Sequence, residues 1–304
     1  MRVLANDGMD KNAMEILKKD GILVDSNHYE KEELYNIIKD FDILIVRSAT
    51  KADREFIDAA KKARLKLIIR AGVGLDNIDI PYAVKNGIEV RNTPNSSSNS
   101  VAELVLGHMI GLARYITIAN ITLREGKWNK KAYTGTELSG KTFGIIGFGR
   151  IGKALANKAS ALGMNVIYYD KYYKNDDKYK YVDFEELLKN ADFISLHVPG
   201  VDKAIIGEAE IKLMKDGVFL INAARGGVID ENALLEALNT DKVAGAGIDV
   251  FIQEPKPNQD LCNHPKVSVT PHIGAATQEA QMRIGGEIVD IIMDFYNNTN
   301  EIAI

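Results

Sequence analysis

The sequence predicts an α/β protein made of two doubly wound parallel-sheet domains, one inserted into the other. Short β-branched runs alternate with amphipathic helical patterns almost from end to end, which is typical of parallel strands connected by helices. The length of 304 residues exceeds that of one ordinary domain and suits two. A polar stretch at residues 92–99 has the composition of a linker and separates two strand–helix series.

The first series predicts a smaller, flavodoxin-like doubly wound domain. A final amphipathic pattern at residues 278–296 predicts a closing helix. If that helix returns to the first series, the small domain consists of residues 1–95 and 278–304. The predicted strands of the series are residues 3–5, 22–24, 43–46, 67–69 and 89–90, and the predicted helices are residues 9–19, 31–39 and 54–61.

The second series predicts a larger domain over residues 96–277, which would be inserted into the first. Ser100 and Glu103 have the spacing of a capping box, and they predict one long apolar helix running toward Arg124. A new set of alternating strands and helices follows that helix. The predicted strands are residues 143–146, 166–169, 193–198, 218–221, 247–250 and 267–270.

The composition excludes several classes of partner. A formal net charge of −4 gives no reason to expect nucleic acid or an anionic membrane, and no apolar run is long enough to span a bilayer. The N-terminus enters a strand pattern without signal-peptide features, so we expect a cytoplasmic protein. Cys262, the only cysteine, is predicted to be an inert structural thiol, and no histidine pattern indicates a metal. His108, inside the apolar helical pattern, and His197, at a strand end, are interpreted as structural.

The glycine-rich sequence GFGRIG follows an apolar strand pattern and indicates a dinucleotide site. Gly147 permits the tight turn, Gly149 lets backbone approach a pyrophosphate, and Gly152 allows close packing of helix on strand. Asp170 ends the next predicted strand, where its carboxylate would accept hydrogen bonds from ribose hydroxyls and repel the extra phosphate of NADP. The pattern predicts a Rossmann domain that binds NAD, and the adjacent Lys171 is the one residue that argues against this preference.

Polar side chains follow three predicted strands of the larger domain, at the sheet edge where ligands bind. Taken alone, Arg225, Glu254 and His272 each have a structural interpretation, as a surface arginine, a loop carboxylate and a loop histidine. Together they supply what oxidation of a hydroxy acid needs. A histidine takes the hydroxyl proton, a carboxylate orients that histidine, and an arginine holds a carboxylate and polarises the C2 oxygen. We expect Asp249 to meet the nicotinamide.

Several further motifs accompany the glycine-rich turn: VRSATK at residues 46–51, RAGVGLDN at 70–77, NTPN at 92–95, ARGG at 224–227, IDV at 248–250 and PHIG at 271–274. In this order they resemble the motifs of the D-isomer-specific 2-hydroxyacid dehydrogenases over essentially the whole chain. The resemblance is strongest to the members that oxidise 3-phosphoglycerate to 3-phosphohydroxypyruvate, the entry to serine synthesis. It implies an oxidoreductase that uses NAD and acts on a small 2-hydroxy acid.

The resemblance also implies roles for individual residues. Arg225, Glu254 and His272 are the implied catalytic residues. Arg47 and Arg70 resemble the cations of a phosphate pocket, although Arg47 also has a structural interpretation as a charge at a strand end. The implied cofactor contacts are Val73, Gly147, Gly149, Arg150, Ile151, Gly152, Asp170, Val198, Ala223, Ala224, Arg225, Asp249, His272, Gly274 and Ala275. The implied substrate contacts are Arg47, Arg70, Gly72, Val73, Gly74, Asn95, Arg225 and His272.

A homodimer, with a tetramer as the alternative, is the assembly that the resemblance implies. In this family the helix after Asn99 and the segment around Trp128 form a dimer interface, and the competing interpretation of Trp128 is core packing. Lys130 and Lys131 resemble a basic segment that reaches the site of a partner subunit, and they equally fit a solvated charge run.

Two other functions stay open. A glyoxylate or hydroxypyruvate reductase of the same superfamily would lack the phosphate-binding cations, and Arg47 is present. A non-catalytic, corepressor-like protein that senses NAD(H) would be expected to carry extra partner-binding segments, and none is evident. Many phosphoglycerate-oxidising members carry a C-terminal serine-binding domain, whereas this chain stops at Ile304, just after the predicted closing helix. The chain is therefore either a short unregulated form or a shortened one, and we expect no feedback inhibition by serine through such a domain.

Overall fold

The computed structural model describes residues 1–301, with side chains through residue 298. The chain forms two compact units. The first unit comprises Met1–Ser97 together with the chain from Ala275 onward, and the second comprises Ser98–Gly274. Each unit has its own parallel sheet with helices between the strands. The predicted α/β class, with one doubly wound domain inserted into another, is confirmed.

The first unit has a five-stranded parallel sheet with the order β2-β1-β3-β4-β5, which is the flavodoxin-like order. The strands are β1 (Arg2–Ala5), β2 (Leu23–Asp25), β3 (Ile43–Val46), β4 (Leu67–Arg70) and β5 (Glu89–Asn92). The helices are α1 (Lys11–Lys19), α2 (Lys31–Ile37), α3 (Arg54–Ala60) and α4 (Ile80–Lys85). A short 3₁₀ turn, Ile38–Asp40, follows α2.

The central strand β3 shows why this sheet is covered on both faces. All of its side chains are fully buried, and they alternate between two hydrophobic clusters, with Ile43 and Ile45 in one and Leu44 and Val46 in the other. A continuous apolar run of this kind is typical of a parallel strand with helices on both sides. Because Val46 pairs with Arg70 on β4, the carboxyl ends of these strands lie side by side.

The second unit has a seven-stranded parallel sheet with the order β12-β11-β10-β9-β6-β7-β8. The strands are β6 (Thr142–Ile146), β7 (Asn165–Tyr169), β8 (Lys180–Tyr181), β9 (Phe193–Leu196), β10 (Val218–Asn222), β11 (Val243–Ile248) and β12 (Val267–Val269). The helices are α5 (Ser98–Ala113), α6 (Ile116–Arg124), α7 (Arg150–Ala161), α8 (Phe184–Asn190), α9 (Glu208–Leu213), α10 (Glu231–Asn239) and α11 (Gln259–Cys262). A 3₁₀ turn, Lys130–Tyr133, follows α6.

The strand order of the second unit reverses at β6, which pairs with β7 on one side and with β9 on the other. In open parallel sheets ligands bind at such a switch point, beyond the carboxyl ends of the strands. The register aligns these ends across the sheet. The paired end residues are Ile146 with Tyr169 and Leu196, Asn222 with Leu196 and Ile248, and Ile248 with Val269.

The prediction of one long helix over residues 100–124 is wrong. The helix begins at Ser98, so Ser100 lies inside it and does not cap it, and it ends at Ala113. Tyr115 has a left-handed backbone with φ 55°, and α6 then leaves at 62° to α5. The carbonyl of Ala113 accepts a hydrogen bond from the backbone N–H of Thr136 at 2.9 Å. A returning loop, and not a further turn of helix, therefore satisfies the end of α5.

Within the described part of the chain, no single helix has the length and hydropathy of a membrane span. The bent pair α5 and α6 reaches that length and composition only when the two are counted together.

The closing helix, α12 (Gln278–Glu301), packs on the first unit. Its residue Gly285 brings it close to α1, because a Cβ at Gly285 would lie 2.7 Å from the Cβ of Asp10. Farther along, Ile288 and Ile292 are fully buried in the cluster that also contains alternate residues of β3 and β4. The helix thus covers one face of the first sheet.

Candidate active site and cofactor site

The glycine-rich turn joins β6 to α7 at the switch point of the second unit. Gly147 has φ +93°, and a Cβ there would lie 2.3 Å from the carbonyl oxygen of His197. A Cβ on Gly152 would lie 2.4 Å from the carbonyl oxygen of Gly147. A Cβ on Gly149 would meet no heavy atom of the described chain within 4 Å, so this side of the turn is open. The turn therefore fits the close approach of a pyrophosphate.

Helix α7 opens directly from this turn. Gly149 is its N-cap residue, and within the described residues no side chain caps it. The first N–H groups of the helix are thus left for a ligand, and the positive end of the helix dipole favours an anion there. Arg150 and Ile151, both predicted cofactor contacts, form the first positions of the helix. The residues present fit a dinucleotide.

Asp170 follows β7 and is held by the backbone around it. Its carboxylate accepts N–H groups from Phe148 at 2.8 Å, Tyr172 at 2.8 Å and Tyr173 at 2.9 Å. Partial burial acts to raise the pKa of Asp170, but the backbone hydrogen bonds outweigh it and leave this pKa below its usual range. The ammonium group of the adjacent Lys171 lies 5.3 Å from the ring centre of Tyr172. A fixed carboxylate therefore stands where a ribose-binding acid is expected.

A histidine–glutamate pair lies beyond β11 and β12. The Nδ1 atom of His272 is 2.8 Å from Oε2 of Glu254, and both side chains are a little more than one-third exposed, at 39% and 38%. The other carboxylate oxygen of Glu254 accepts the N–H of Phe251 at 3.0 Å. Since a carboxylate only accepts hydrogen bonds, Nδ1 of His272 carries the proton in this pair when the imidazole is neutral. The Nε2 atom is then the basic one, as a general base requires.

The loop that carries His272 is strained and is fixed by Asp249. His272 has φ 54°, which is uncommon for a residue other than glycine. Its N–H donates to the carbonyl of Asp249 at 2.8 Å. The buried carboxylate of Asp249 accepts N–H groups from Ile273 at 2.8 Å and Gly274 at 2.9 Å, and the hydroxyl of Thr270 at 2.6 Å. Asp249, expected to meet the nicotinamide, is thus seen here holding the histidine loop.

Arg225 follows β10 in a loop whose backbone is tightly constrained. The side-chain amide of Asn222 donates to the carbonyl of Arg225 at 2.8 Å, and its oxygen accepts the N–H of Ala224 at 3.0 Å. A Cβ at Gly226 would lie 1.9 Å from the carbonyl oxygen of Phe251, so only glycine fits at this position. The predicted cofactor contacts Ala223 and Ala224 lie in the same loop. The structure thus places Arg225, Glu254 and His272 beyond the ends of three adjacent strands.

The first unit carries the predicted anion-binding residues at the carboxyl edge of its own sheet. Gly72 has φ +149°, and a Cβ there would lie 1.5 Å from Nη1 of Arg70, so only glycine permits this placement of the guanidinium. The N–H of Thr93 donates to the carbonyl of Gly72 at 3.1 Å, and the Asn92 amide donates to the carbonyl of Val73 at 2.7 Å. The loop is therefore fixed from β5, with Gly74 following in the same turn.

Arg47 follows β3 at the same edge as Arg70. Its backbone is fixed by Asp7, whose carboxylate accepts the N–H of Arg47 at 2.6 Å, and by Asn77, whose amide donates to the carbonyl of Arg47 at 2.7 Å. Burial lowers the pKa of the Arg47 guanidinium, and the nearby Asp7 opposes this shift. The Nε atom of Arg47 is shielded from solvent and has no hydrogen-bond partner among the residues that the structure describes.

Asn95, a predicted substrate contact, is hydrogen-bonded to the closing helix α12. Its side-chain amide donates to Oε1 of Glu287 at 2.9 Å, and the hydroxyl of Ser96 donates to Oε2 of Glu287 at 2.6 Å. Arg283 donates from Nε to the carbonyl of Ser96 at 2.9 Å. The composition of residues 92–99 predicts a linker, and nothing in that pattern indicates the bonds to α12.

The structure also places four other residues that the sequence analysis singled out. His197 donates to or accepts from the hydroxyl of Ser195 at 2.9 Å, and burial lowers the pKa of His197 to about 3, so its ring is neutral near pH 7. Val198 lies two residues beyond β9, at the same sheet edge. Burial raises the pKa of the Cys262 thiol, which agrees with an unreactive side chain. Ala275 begins the second segment of the first unit.

Trp128 does not pack in a core, because its side chain is 80% exposed. The preceding helix α6 has no buried residue, and its Ile121 and Leu123 are also about half exposed. Lys130 and Lys131 lie in the exposed 3₁₀ turn that follows. The interpretation of Trp128 as core packing is therefore wrong.

Comparisons with known proteins agree with this geometry. Residues 106–274 match the family model described as D-isomer specific 2-hydroxyacid dehydrogenase, NAD binding domain. A hydroxypyruvate reductase of Thermotoga maritima is 50% identical over 96% of this chain and 97% of its own length. A D-3-phosphoglycerate dehydrogenase of Methanocaldococcus jannaschii is 45% identical over 96% of this chain, which spans only 57% of that relative.

A solved structure of similar fold is that of a glyoxylate reductase from Paecilomyes thermophila, with a TM-score of 0.86 and 34% identity. The match covers 95% of this chain and 93% of the other. The glycine-rich turn, the carboxylate that follows β7 and the family match over the inserted unit all indicate the same cofactor, NAD. The chain belongs to the D-isomer-specific 2-hydroxyacid dehydrogenases, which are NAD-dependent oxidoreductases acting on small molecules.

Proposed function

We propose that this enzyme oxidises 3-phosphoglycerate to 3-phosphohydroxypyruvate, the first step of the phosphorylated route to serine. In this assignment the inserted unit binds NAD and supplies the base, and the first unit binds the two anionic ends of the substrate. NAD, held at the glycine-rich turn of the inserted unit, would supply the acceptor for the hydride of C2. The residues of the chain must then take one proton, hold the carboxylate and neutralise the phosphate.

His272 is proposed to take the proton of the C2 hydroxyl on Nε2. Support comes from the 2.8 Å contact of Nδ1 with Glu254, which leaves Nε2 as the basic nitrogen. Glu254 then stabilises the imidazolium that forms, since its carboxylate already lies against the ring. In the reductive direction the same pair delivers the proton to the C2 oxygen.

The substrate carboxylate is assigned to the backbone N–H groups around Gly72, Val73 and Gly74. The support is a loop fixed by backbone and side-chain bonds from β5, in which a side chain at Gly72 would collide with Arg70. Arg225 is assigned to the carboxylate and the C2 oxygen, because a guanidinium polarises a carbonyl and binds a carboxylate through two parallel donors.

The observation that best supports a phosphorylated substrate is the environment of the Arg47 guanidinium. A guanidinium that is partly desolvated and leaves Nε without a described partner loses hydration without full compensation. An anionic ligand would restore that compensation, and a phosphate dianion does so more strongly than a hydroxyl group. Arg70, at the end of the neighbouring strand, would add a second positive charge.

Reduction of hydroxypyruvate is the second candidate, favoured by the 50% identity to a reductase of nearly the same length. The two candidates share one carbon skeleton and differ only by the phosphate. Steady-state kinetics with 3-phosphoglycerate and D-glycerate separate them. We expect kcat/KM for 3-phosphoglycerate to exceed that for D-glycerate by at least about tenfold, the worth of a charge-assisted hydrogen bond. Equal values, or a preference for D-glycerate, would favour the second candidate.

A homodimer built through α6 and Trp128 is also proposed. The support is the row of half-exposed apolar side chains on α6 that continues into the 80% exposed Trp128. Sedimentation of the wild type and of Leu123→Glu is the test. We expect a dimer that dissociates on substitution, and a monomeric wild type would contradict the proposal.

A further inference from the structure

His108 is a buried histidine on the otherwise apolar face of α5. Its side chain is 4% exposed, and both ring nitrogens meet hydroxyl groups from β12 and the loop beyond it. The Nδ1 atom lies 2.9 Å from Oγ of Ser268, and Nε2 lies 3.1 Å from Oγ1 of Thr270. An imidazole in a core is tolerated when both nitrogens are satisfied in this way. An aliphatic residue at position 108 would need no hydrogen-bond partners.

The hydrogen bonds around His108 have one consistent direction. Thr270 lies 2.6 Å from Oδ1 of Asp249, and because a carboxylate only accepts, the Thr270 hydroxyl donates to it. Thr270 must then accept from His108, so Nε2 carries the proton. The remaining Nδ1 accepts from the hydroxyl of Ser268. Desolvation lowers the pKa of His108, which keeps the ring in this neutral form, while the charge of Asp249 opposes the shift.

Asp249 connects this chain of bonds to the histidine loop. Its carboxylate accepts the N–H groups of Ile273 and Gly274, and its backbone carbonyl accepts the N–H of His272. Those bonds hold His272 at φ 54°, a conformation that a residue other than glycine keeps only when its surroundings fix it. Asp249 thus holds the backbone on both sides of the His272 side chain, from which the ring extends to Glu254.

We propose that His108 is a positioning residue for the catalytic base: it fixes the Thr270 hydroxyl, which fixes the Asp249 carboxylate, which holds the backbone of His272. The inference rests on the proposed role of His272 as that base. His108 itself touches neither the His272 ring nor its partner Glu254 through any described hydrogen bond.

The packing around His108 depends on a glycine of the neighbouring strand. A Cβ at Gly247 on β11 would lie 2.7 Å from the Cβ of His108 and 3.0 Å from its Cγ. The strand can pass this close to α5 only because position 247 has no side chain. Likewise, a Cβ at Gly274 would lie 3.2 Å from Oδ2 of Asp249. The two glycines therefore leave room for the series of hydrogen bonds, Gly247 at the His108 end and Gly274 at the Asp249 end.

The test compares His108→Gln with His108→Met in the full-length enzyme. Glutamine keeps a donor near the position of Nε2, whereas methionine fills the space and offers none. We expect His108→Met to lower kcat by about tenfold or more, since small displacements of a catalytic group have effects of up to about a hundredfold. The KM for NAD should stay unchanged, and His108→Gln should restore most of kcat. Thr270→Val should behave like His108→Met, and the two changes together should do little more than either alone.

A purely structural role would give another result. Both His108 variants would then lose thermal stability while the folded enzyme kept the wild-type kcat, and this would overturn the proposal. His272→Ala, measured in parallel, separates the two levels of the assignment. If His272→Ala is inactive and His108→Met is fully active, only the positioning role fails. If His272→Ala keeps near-normal kcat, the base assignment fails and the positioning role fails with it.

Discussion

In the second unit the proposed base, His272, is bonded to Glu254, whereas in the first unit Arg47, the cation beyond β3, keeps a buried edge without a described partner. His272 is held through Glu254 on its ring and Asp249 on its backbone. The backbone of Arg47 is held by Asp7 and Asn77, while its Nε atom is shielded and has no hydrogen-bond partner among the described residues. On the proposed function, the first arrangement orients the base before substrate arrives, and the second leaves a charge for an anionic substrate to neutralise.

This difference predicts which substitutions should lower kcat and which should raise KM. Loss of an oriented proton acceptor removes stabilisation that is present only in the transition state, and kcat falls. Loss of an unpaired cation removes an interaction with the bound substrate, and KM rises. Substitutions in the two units should therefore change different kinetic constants.

The largest effect is expected at the proposed base, His272. His272→Ala should lower kcat by roughly 10²–10⁴, the usual contribution of a general base, and leave the Kd for NAD nearly unchanged. His264→Ala, at a half-buried histidine of the same unit whose Nδ1 atom accepts the N–H of Lys266, is the matched control and should keep normal kcat. A His272→Ala enzyme with near-normal kcat would show that His272 is not the base, and would contradict the expectation that substitutions in the second unit lower turnover.

The next effect is expected in the carboxylate loop. Gly72→Ala places a methyl group where Nη1 of Arg70 lies, so the loop or the guanidinium must move. We expect kcat/KM for every 2-hydroxy acid to fall by about a hundredfold, the effect of misplacing a binding group by roughly 1 Å. Gly87→Ala is the control, since Gly87 has φ +77° with no described heavy atom within 4 Å of an added Cβ. It should reduce stability by about 1 kcal/mol without changing KM.

A smaller effect is expected on cofactor choice. The wild type should prefer NAD strongly over NADP, and Asp170→Ala should lower kcat/KM for NAD by about tenfold through the loss of charge-assisted hydrogen bonds. The same variant should gain activity with NADP, because the repulsion of a 2′-phosphate is removed. Asp177→Ala, at an exposed carboxylate nearby, should change neither value. A wild type that uses both cofactors equally would show that Lys171 outweighs Asp170.

The sequence predicted the parts of the fold whose signals are local. The strand β3 is a continuous apolar run, and the turn at Gly147 follows an apolar strand and precedes a helix, so both were recognised directly. Strand β11 was predicted at residues 247–250 and lies at Val243–Ile248. Gly245 and Gly247 weaken its pattern because they make room for Leu112 and His108 of α5, which are far away in sequence.

No pattern in the neighbouring sequence indicates the break between α5 and α6. The same is true of the bonds by which Asp249 holds the histidine loop. Both helices carry apolar residues across the break, and the bond that ends α5 comes from Thr136. His108 meets Ser268 across 160 residues, so an apolar helical pattern could show only that this histidine is buried. The chemistry of Arg225, Glu254 and His272 and their positions after strands predict a catalytic site, whereas the bonds that orient these residues depend on tertiary contacts.

The substrate selectivity of Arg47→Ala tests the central claim most directly. The variant is compared with Arg54→Ala, whose side chain is 75% exposed and paired with Asp79, using 3-phosphoglycerate and D-glycerate in each case. We predict that Arg47→Ala raises the KM for 3-phosphoglycerate by at least about tenfold and leaves turnover of D-glycerate nearly unchanged, while Arg54→Ala changes neither. Equal losses with both substrates would show that Arg47 is structural and would contradict the phosphate assignment.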